Sequence, residues 1–312
     1  MSKVLVTGTA GFIGSHLAEK LVATGFDVIG LDCFSDYYPR VIKERNIEKL
    51  IHRDNFRLIE GKIQVEKKLK KLLDGVEAVF HLAAQPGVRA SWGKYFNEYV
   101  ENNITATQLL LEQVKNSPIR KLVFASSSSV YGDSETLPTS EETTPRPVSP
   151  YGVTKLAAEH LCALYWKNYR VPVVMLRYFT VYGPRQRPDM AFSKIIKSAL
   201  TGETFQVYGD GNQTRDFTYI DDIVRANLLA MESDAAGEIF NIGGGSRISL
   251  NEVIKLLENI VGKKMPIEYH EPQKGDVKHT CADISKAEKI LKYQPSIGIE
   301  EGLRRQVDSV KK

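Results

Sequence analysis

The segment that most restricts the folds open to this chain of 312 residues is TGTAGFIG, residues 7–14. It follows an apolar run of strand length, KVLVTG (3–8), and opens a helical pattern. Gly8, Gly11 and Gly14 permit a tight turn and let a phosphate approach the backbone N–H groups at the helix N-terminus. The segment therefore predicts the first strand–turn–helix unit of a dinucleotide-binding sheet.

Five more apolar runs of strand length follow, separated by helical patterns, and all six are rich in valine, isoleucine and leucine. The six runs are 3–8, 26–32, 56–61, 76–83, 120–127 and 171–178. Near-continuous apolar strands that alternate with helices are typical of a parallel sheet covered on both faces. We therefore predict an α/β protein with a doubly wound parallel (Rossmann) sheet.

After residue 180 prolines and glycines become frequent and the elements shorten. This change predicts a dinucleotide-binding domain over 1–180 and a smaller C-terminal α/β substrate-binding region over 181–312. A return of the chain to the first sheet is expected around 216–245, where EIFNIG (238–243) has the pattern of a strand.

Asp32 lies eighteen residues beyond Gly14, at the end of the second apolar run. A carboxylate at this point accepts hydrogen bonds from the adenosine ribose hydroxyls and repels a 2′-phosphate. NAD is therefore the predicted cofactor, in preference to NADP.

Tyr151 and Lys155, in SPYGVTK, lie four residues apart and thus on one face of a helix. The spacing alone is weak, because a chain with 14 tyrosines contains such a pair by chance. The context favours a catalytic pair, since a nearby ammonium lowers the phenol pKa from its usual value near 10. Tyr151 could then remove a hydroxyl proton while hydride passes to NAD⁺. The alternative is an ordinary helix tyrosine.

The bulk properties exclude several other classes of protein. A net charge of +4, with cations spread along the chain, does not indicate nucleic acid, and EKKLKK (66–71) is typical of a solvated helix face. Three scattered cysteines and six histidines without metal-ligand spacing predict neither disulfides nor a metal site. No apolar run approaches the ~20 residues of a membrane span, so we expect a reduced, cytoplasmic protein.

Four motifs together resemble the extended short-chain dehydrogenase/reductase family, and in particular its nucleotide-sugar 4-epimerases. They are TGxxGxxG, the strand end SSSSVYG, YxxxK and RDFTYIDD. The resemblance implies that Ser127, Tyr151 and Lys155 are catalytic, with Lys155 lowering the pKa of Tyr151. It also implies that NAD stays bound while C4 of the sugar is oxidised and then reduced from the opposite face. Such enzymes are usually homodimers joined by a helix bundle, here through helices over about 93–116 and 151–168.

The same resemblance implies a set of residues around the cofactor. They are Gly8, Gly11, Phe12, Ile13, Gly14, Asp32, Lys62, Ile63, Leu82, Ala83, Ala84, Asn103, Tyr151, Lys155 and Phe179. One position departs from the wider family, because Lys62 stands where many epimerases have an aspartate that contacts adenine.

Three longer segments are similar to the bacterial UDP-glucuronate 4-epimerases: 81–93, 149–162 and 180–192. Their substrate carries a C5 carboxylate, which an arginine can bind through charge-assisted hydrogen bonds. We predict that Arg187 serves this end of the sugar. One alternative is that Arg185 or Arg187 binds the diphosphate, although Arg215 resembles the arginine that has this role in the family. The other alternative is that both arginines form surface salt bridges.

The resemblance implies a UDP-sugar site of twelve residues. They are Pro86, Gly87, Arg89, Ser128, Thr180, Arg185, Arg187, Met190, Gln206, Tyr208, Arg215 and Asp276. Ser128 and Thr180 are expected to donate to the carboxylate, Arg89 to lie near the sugar, and the uracil to lie along 206–208. The uridine-ribose contacts stay open, because QKGD (273–276) replaces the Arg-x-Gly-Asp of many relatives.

Other activities of this family need side chains that the strand end lacks. The 4,6-dehydratases carry an Asp–Glu pair before VYG and the UDP-glucuronate decarboxylases a glutamate, whereas this chain has Ser128 and Ser129. Epimerisation of UDP-glucuronate is therefore favoured. A UDP-glucose or UDP-N-acetylhexosamine 4-epimerase, a decarboxylase and a non-enzymatic NAD(H)-binding protein are the alternatives.

Overall fold

The computed structural model describes residues 2–311, without the side chains of 66–68. Twelve strands lie in this part of the chain: β1 (Lys3–Thr7), β2 (Asp27–Asp32), β3 (Phe56–Glu60), β4 (Val76–His81), β5 (Lys121–Ser127), β6 (Val173–Tyr178), β7 (Thr180–Tyr182), β8 (Phe205–Tyr208), β9 (Thr214–Tyr219), β10 (Glu238–Ile242), β11 (Arg247–Ser249) and β12 (Ile267–His270).

Eleven α-helices complete the described elements: α1 (Phe12–Ala23), α2 (Arg40–Ile47), α3 (Glu66–Leu72), α4 (Phe96–Tyr99), α5 (Ala106–Val114), α6 (Pro150–Tyr169), α7 (Ala191–Thr201), α8 (Ile220–Glu232), α9 (Leu250–Val261), α10 (Ser285–Leu291) and α11 (Ile299–Lys311). A π-helical turn over Val100–Thr105 joins α4 to α5. The helix expected over 66–71 is α3. The solvated face predicted for it falls partly on residues 66–68, whose side chains lie outside the described part of the structure.

Seven strands form one sheet in the order β3-β2-β1-β4-β5-β6-β10, and every neighbouring pair is parallel. The predicted doubly wound α/β fold is confirmed. Among the C-terminal elements, β10 is a strand of this sheet and α8 packs on it. Strand β9 lies in a separate three-stranded sheet, β11-β9-β7. A parallel pair, β8 and β12, forms the remaining sheet.

The strands are apolar along their whole length because both faces of the sheet are buried. Along β1, Val4 and Val6 contribute to a core cluster with α1 and α8, while Leu5, between them, contributes to a second cluster with α5 and α6. The first cluster continues into the C-terminal region through residues such as Phe192 and Leu257, so the two regions share one core.

Parallel strands bring their carboxyl ends to one edge of the sheet, where ligands of this architecture bind. Thr7, Asp32, His81, Ser127 and Tyr178 end β1, β2, β4, β5 and β6 at this edge. The fold therefore places the glycine turn, the acid after the second strand and the serine-rich strand end around one cleft.

Candidate active site

The glycine turn between β1 and α1 is packed too closely for side chains. Gly8 has φ +72°, and a Cβ on it would lie 2.9 Å from the backbone nitrogen of Ala83. A Cβ on Gly14 would lie 2.1 Å from the carbonyl oxygen of Gly8. Helix α1 begins at Phe12 with Gly11 as its N-cap, and no side chain caps it. Its first N–H groups are therefore available to an anion.

Asp32 is fixed beside this turn by two backbone hydrogen bonds. Ala10 N donates to Oδ2 at 2.9 Å, and Phe34 N donates to Oδ1 at 2.8 Å. Burial raises the pKa of the carboxyl group, and the two N–H donors and the ammonium of Lys43 oppose this shift. Each oxygen keeps a lone pair, so the carboxylate can still accept a ligand hydroxyl.

One cleft joins most of the residues that the sequence assigned to the cofactor. Those that line it are Gly8, Gly11, Phe12, Ile13, Gly14, Asp32, Lys62, Ile63, Leu82, Ala83, Ala84, Tyr151 and Lys155. Pro86 and Arg187, which the sequence assigned to the substrate, line the same cleft. The glycine turn, the phenol and one of the two arginines therefore share one space.

Asn103 and Phe179 do not line this cleft. The amide of Asn103 is occupied by the backbone of Gln85, with hydrogen bonds of 2.7 and 3.1 Å, and by Thr154 Oγ1 at 3.0 Å. Phe179 is 2% exposed and packs against the ring of Tyr131. Both residues are thus engaged within the protein, and their predicted contact with the cofactor stays a prediction.

Tyr151 lies in the first turn of α6, whose start is set by local sequence. Ser149 is the N-cap, with its Oγ accepting from Gly152 N at 3.1 Å, and Pro150 occupies the first helical position. Burial raises the pKa of the Tyr151 phenol, while a hydrogen bond with Ser127 and the charge of Arg187 lower it. The cation that lowers the pKa of the phenol in the structure is thus Arg187, whereas the sequence predicted Lys155 for this effect.

Lys155 follows one helical turn later and is 3% exposed. Its Nζ lies 4.6 Å from the centroid of the Phe124 ring. Burial lowers the pKa of the ammonium to about 8, and the carboxylate of Glu159 opposes the shift. Within the described part of the chain no hydrogen bond engages this ammonium, so its donors are available in the cleft.

A buried ion pair behind the cleft was not foreseen from the sequence. Glu159 accepts from Arg177 Nε at 2.9 Å and Nη2 at 2.7 Å, and it also accepts from Ser126 Oγ. The two charged side chains are 2% and 3% exposed, and the guanidinium stacks 4.6 Å from the Tyr131 ring. An arginine within the apolar strand VPVVMLRY was the available signal, because a buried cation needs a partner.

The two arginines of GPRQRP are placed differently. Arg187 lines the cleft, is 18% exposed, and donates from Nε and Nη2 to the two oxygens of Asp189, both at 3.0 Å. Arg185 faces helices α1 and α2, where it donates to Glu19 at 3.1 and 2.5 Å and to Asn46 O at 2.9 Å. The guanidinium of Arg185 thus anchors the loop on these helices, and its role as a substrate ligand stays a prediction.

A second cavity contains three of the predicted substrate residues, Tyr208, Arg215 and Asp276. Arg215 donates to backbone carbonyl groups, at 2.6 Å to Val277 O and 3.0 Å to Lys278 O. Arg89 pairs with Asp276 at 2.6 Å and stacks 4.5 Å from the Tyr208 ring. The structure thus places Arg89 beside this second cavity, where Asp276 occupies its guanidinium.

The remaining predicted substrate residues line neither of these two spaces. A Cβ on Gly87 would meet the Tyr37 hydroxyl, Ser128 begins a 3₁₀ turn after β5, and Thr180 begins β7. Met190 is the N-cap of α7, and Gln206 accepts from the Tyr208 hydroxyl at 3.3 Å on β8.

Comparison with known proteins identifies the family. The model of the NAD dependent epimerase/dehydratase family matches residues 4–243. This chain belongs to the NAD dependent epimerase/dehydratase family. Among the residues that the structure describes, no helix of this family member is long and apolar enough to cross a membrane.

Several relatives cover nearly the whole chain. A Bacillus subtilis (strain 168) protein named as an uncharacterized UDP-glucose epimerase is 45% identical, over 98% of this chain and 96% of its own. A UDP-glucuronate 4-epimerase of Thermodesulfobacterium geofontis is 42% identical, over 99% and 96%. The structure of UDP-glucuronic acid 4-epimerase from Bacillus cereus with UDP-glucuronic acid and NAD has a TM-score of 0.96, 47% identity and 99% coverage of both chains.

The buried pair behind the cleft makes a testable contribution to stability. Glu159→Gln leaves Arg177 buried without a carboxylate, which should lower the free energy of unfolding by about 3–5 kcal/mol. Urea denaturation followed by circular dichroism measures the change. The double variant Glu159→Gln/Arg177→Met removes both charges and should recover much of the loss. Equal stability of the Glu159→Gln variant and the parent would contradict this account.

Proposed function

We propose that this protein interconverts UDP-glucuronate and UDP-galacturonate by NAD-dependent epimerisation at C4. The observation that carries the proposal is the presence of Tyr151, Lys155 and Arg187 in one cleft with the glycine turn of α1. The similarity to UDP-glucuronate 4-epimerases over almost the whole chain supports it.

The residues of the cleft fit NAD. The uncapped start of α1 can receive the pyrophosphate on its N–H groups, and a side chain at Gly14 would close this space. Asp32 can accept from the adenosine ribose. When bound, the nicotinamide supplies the redox chemistry, taking up hydride from C4 and giving it back.

The chain's own residues handle the proton and the position of the sugar. Tyr151 accepts the proton of the C4 hydroxyl in the oxidation and returns it in the reduction. Ser127, which hydrogen-bonds the phenol, keeps its oxygen oriented towards that hydroxyl. The ammonium of Lys155, without a hydrogen-bond acceptor among the described residues, stabilises the phenolate.

Arg187 supports an acid sugar as the substrate. Of the two arginines in its loop it alone lines the cleft, and a guanidinium there can bind the C5 carboxylate through charge-assisted hydrogen bonds. Arg215, in the second cavity, can serve the diphosphate. Ser128 and Ser129 at the strand end supply no carboxylate for elimination or decarboxylation, so epimerisation is favoured over both.

One observation favours a second candidate, a 4-epimerase of neutral UDP-hexoses. Asp189 already balances the charge of Arg187, so a neutral sugar would not leave this cation unpaired. The relative named as a UDP-glucose epimerase agrees with this candidate. The two candidates differ in the sugar that is turned over.

The first prediction of the proposal concerns the substrate. Purified protein incubated with UDP-glucuronate, without added cofactor, should produce UDP-galacturonate, because we expect NAD to stay bound during purification. Proton NMR of the anomeric region measures the product. Turnover of UDP-glucose with UDP-glucuronate unchanged would select the second candidate, and appearance of UDP-xylose would show a decarboxylase. Tyr151→Phe, which removes the base, is the matched control and should give no product.

A second prediction concerns pH. We assign the protonated form of Lys155 to the reaction, and its pKa is about 8 because of burial. The value of kcat/KM should therefore fall as the pH rises through about 8. Glu159 raises this pKa, so Glu159→Gln should move the fall to lower pH. A variant whose pH profile superimposes on that of the parent would rule out this influence of Glu159.

We also propose a homodimer as the working assembly, located in the cytoplasm. Helix α6 exposes Val153 and Leu164, at 48% and 53%, and the spacing of eleven residues places them on one side of the helix. Apolar side chains exposed on one side of a helix can form part of an interface. A second copy of the same helix pair would cover them, as the family resemblance implies, and the free thiols of all three cysteines fit a reducing compartment.

The dimer predicts a specific effect of charge. Leu164→Glu should convert the dimer to a monomer, because the interface would bury an unpaired carboxylate. Sedimentation velocity measures the mass of each species. Ile290→Glu, at a residue of α10 that is 44% exposed, is the matched control and should leave the dimer intact. A parent protein that is monomeric at micromolar concentration would contradict the assembly.

A further inference from the structure

The guanidinium of Arg187 is held mainly along one edge. Its Nε and Nη2 both donate to Asp189 at 3.0 Å, and the Tyr37 hydroxyl is a further hydrogen-bond partner of the guanidinium. Because the residue lines the cleft, the Nη1 side is the part of the guanidinium that remains for a ligand. A planar guanidinium with one edge bound keeps a defined orientation for the other edge.

Asp189 is itself held by a second residue that lines the cleft. The Tyr37 hydroxyl donates to Asp189 Oδ2 at 3.3 Å, and the Tyr37 ring lies 5.8 Å from the Arg187 guanidinium. Tyr37 follows β2 closely and lines the cleft, and its hydroxyl lies where a side chain on Gly87 would stand. The Tyr37–Asp189–Arg187 group therefore joins the segment after β2 to the arginine loop.

The loop around Arg187 is rigid, since the two residues before it are also fixed. Arg185 binds Glu19, and Gln186, 9% exposed, contacts the backbone of Val181 and Ser193. Pro188 separates Arg187 from Asp189 and restricts the backbone between them. A carboxylate held so near by the chain has a high effective concentration at the guanidinium. Binding of a ligand beside this carboxylate is therefore favoured over its replacement.

We propose that Asp189, braced by Tyr37, is the positioning residue for Arg187: it holds the Nε–Nη2 edge and thereby directs the Nη1 side to the carboxylate of the acid sugar. The inference rests on the proposed function, because it takes that carboxylate as the partner of Arg187. Asp189 also balances the charge of Arg187, whose side chain is only 18% exposed. Without this carboxylate the largely buried cation would have no counter-charge in the ion pair. Neither Asp189 nor Tyr37 needs to touch the substrate.

The test measures dissociation constants by calorimetry in the Tyr151→Phe background, where no turnover occurs. Asp189→Asn keeps the shape of the side chain and removes its charge. The substitution should raise the dissociation constant of UDP-glucuronate about tenfold and change that of UDP-glucose by less than about twofold. Tyr37→Phe removes one hydroxyl group and should also raise the dissociation constant of UDP-glucuronate, by a smaller factor. This second variant tests the proposal if Asp189→Asn folds poorly.

A double-mutant cycle decides whether Asp189 acts through Arg187. In an Arg187→Met background, Asp189→Asn should change the binding of UDP-glucuronate by less than about twofold. Independent, multiplicative effects of the two substitutions would overturn the proposal. Tighter binding by Asp189→Asn would also overturn it, since Asp189 would then compete with the substrate. Failure of the parent to bind UDP-glucuronate would refute the proposed function as well, whereas binding that Asp189→Asn does not alter would refute the positioning role alone.

Discussion

The ion pair between Glu159 and Arg177 is the interaction on which the geometry of the cleft depends. Its carboxylate joins α6, which carries Tyr151 and Lys155, to β6, and it also accepts from Ser126 of β5. The phenol, the ammonium and the serine of the strand end are thereby held in one arrangement. A buried pair contributes little net stability over an apolar contact, but removal of one partner is costly. The pair consequently makes the relative position of three elements specific.

The loop 183–190 shows how neighbouring residues of one type acquire different roles. Arg185 and Arg187 have similar surroundings in the sequence, yet one is an anchor on α1 and the other lines the cleft. Gln186 between them is buried, and opposite sides of the loop therefore face the helices and the ligand space. The prolines that flank the arginines restrict the backbone so that this division is kept.

Much of the fold could be predicted because its signals are local and repeated. The six apolar runs up to residue 178 correspond to β1–β6, and the carboxyl ends of parallel strands necessarily meet at one edge. The cofactor side of the cleft follows from the same rule, since the glycine turn and Asp32 end adjacent strands. The ion pair of Glu159 and Arg177 could not be predicted, because its members are 18 residues apart and meet only when α6 packs on β6.

The sequence by itself determined the strand–glycine–helix unit, the parallel sheet, the preference for NAD and the tyrosine–lysine pair on one helical face. Each of these features depends on residues that are close together along the chain, and their spacing fixes which side chains share one face of a helix or strand. Tertiary structure alone decided which arginine enters the cleft, that Asp189 and Tyr37 hold it, and that Asn103 bonds Thr154 while Phe179 packs on Tyr131. These outcomes depend on contacts between distant segments, and a side chain's partner is settled only when both segments are packed.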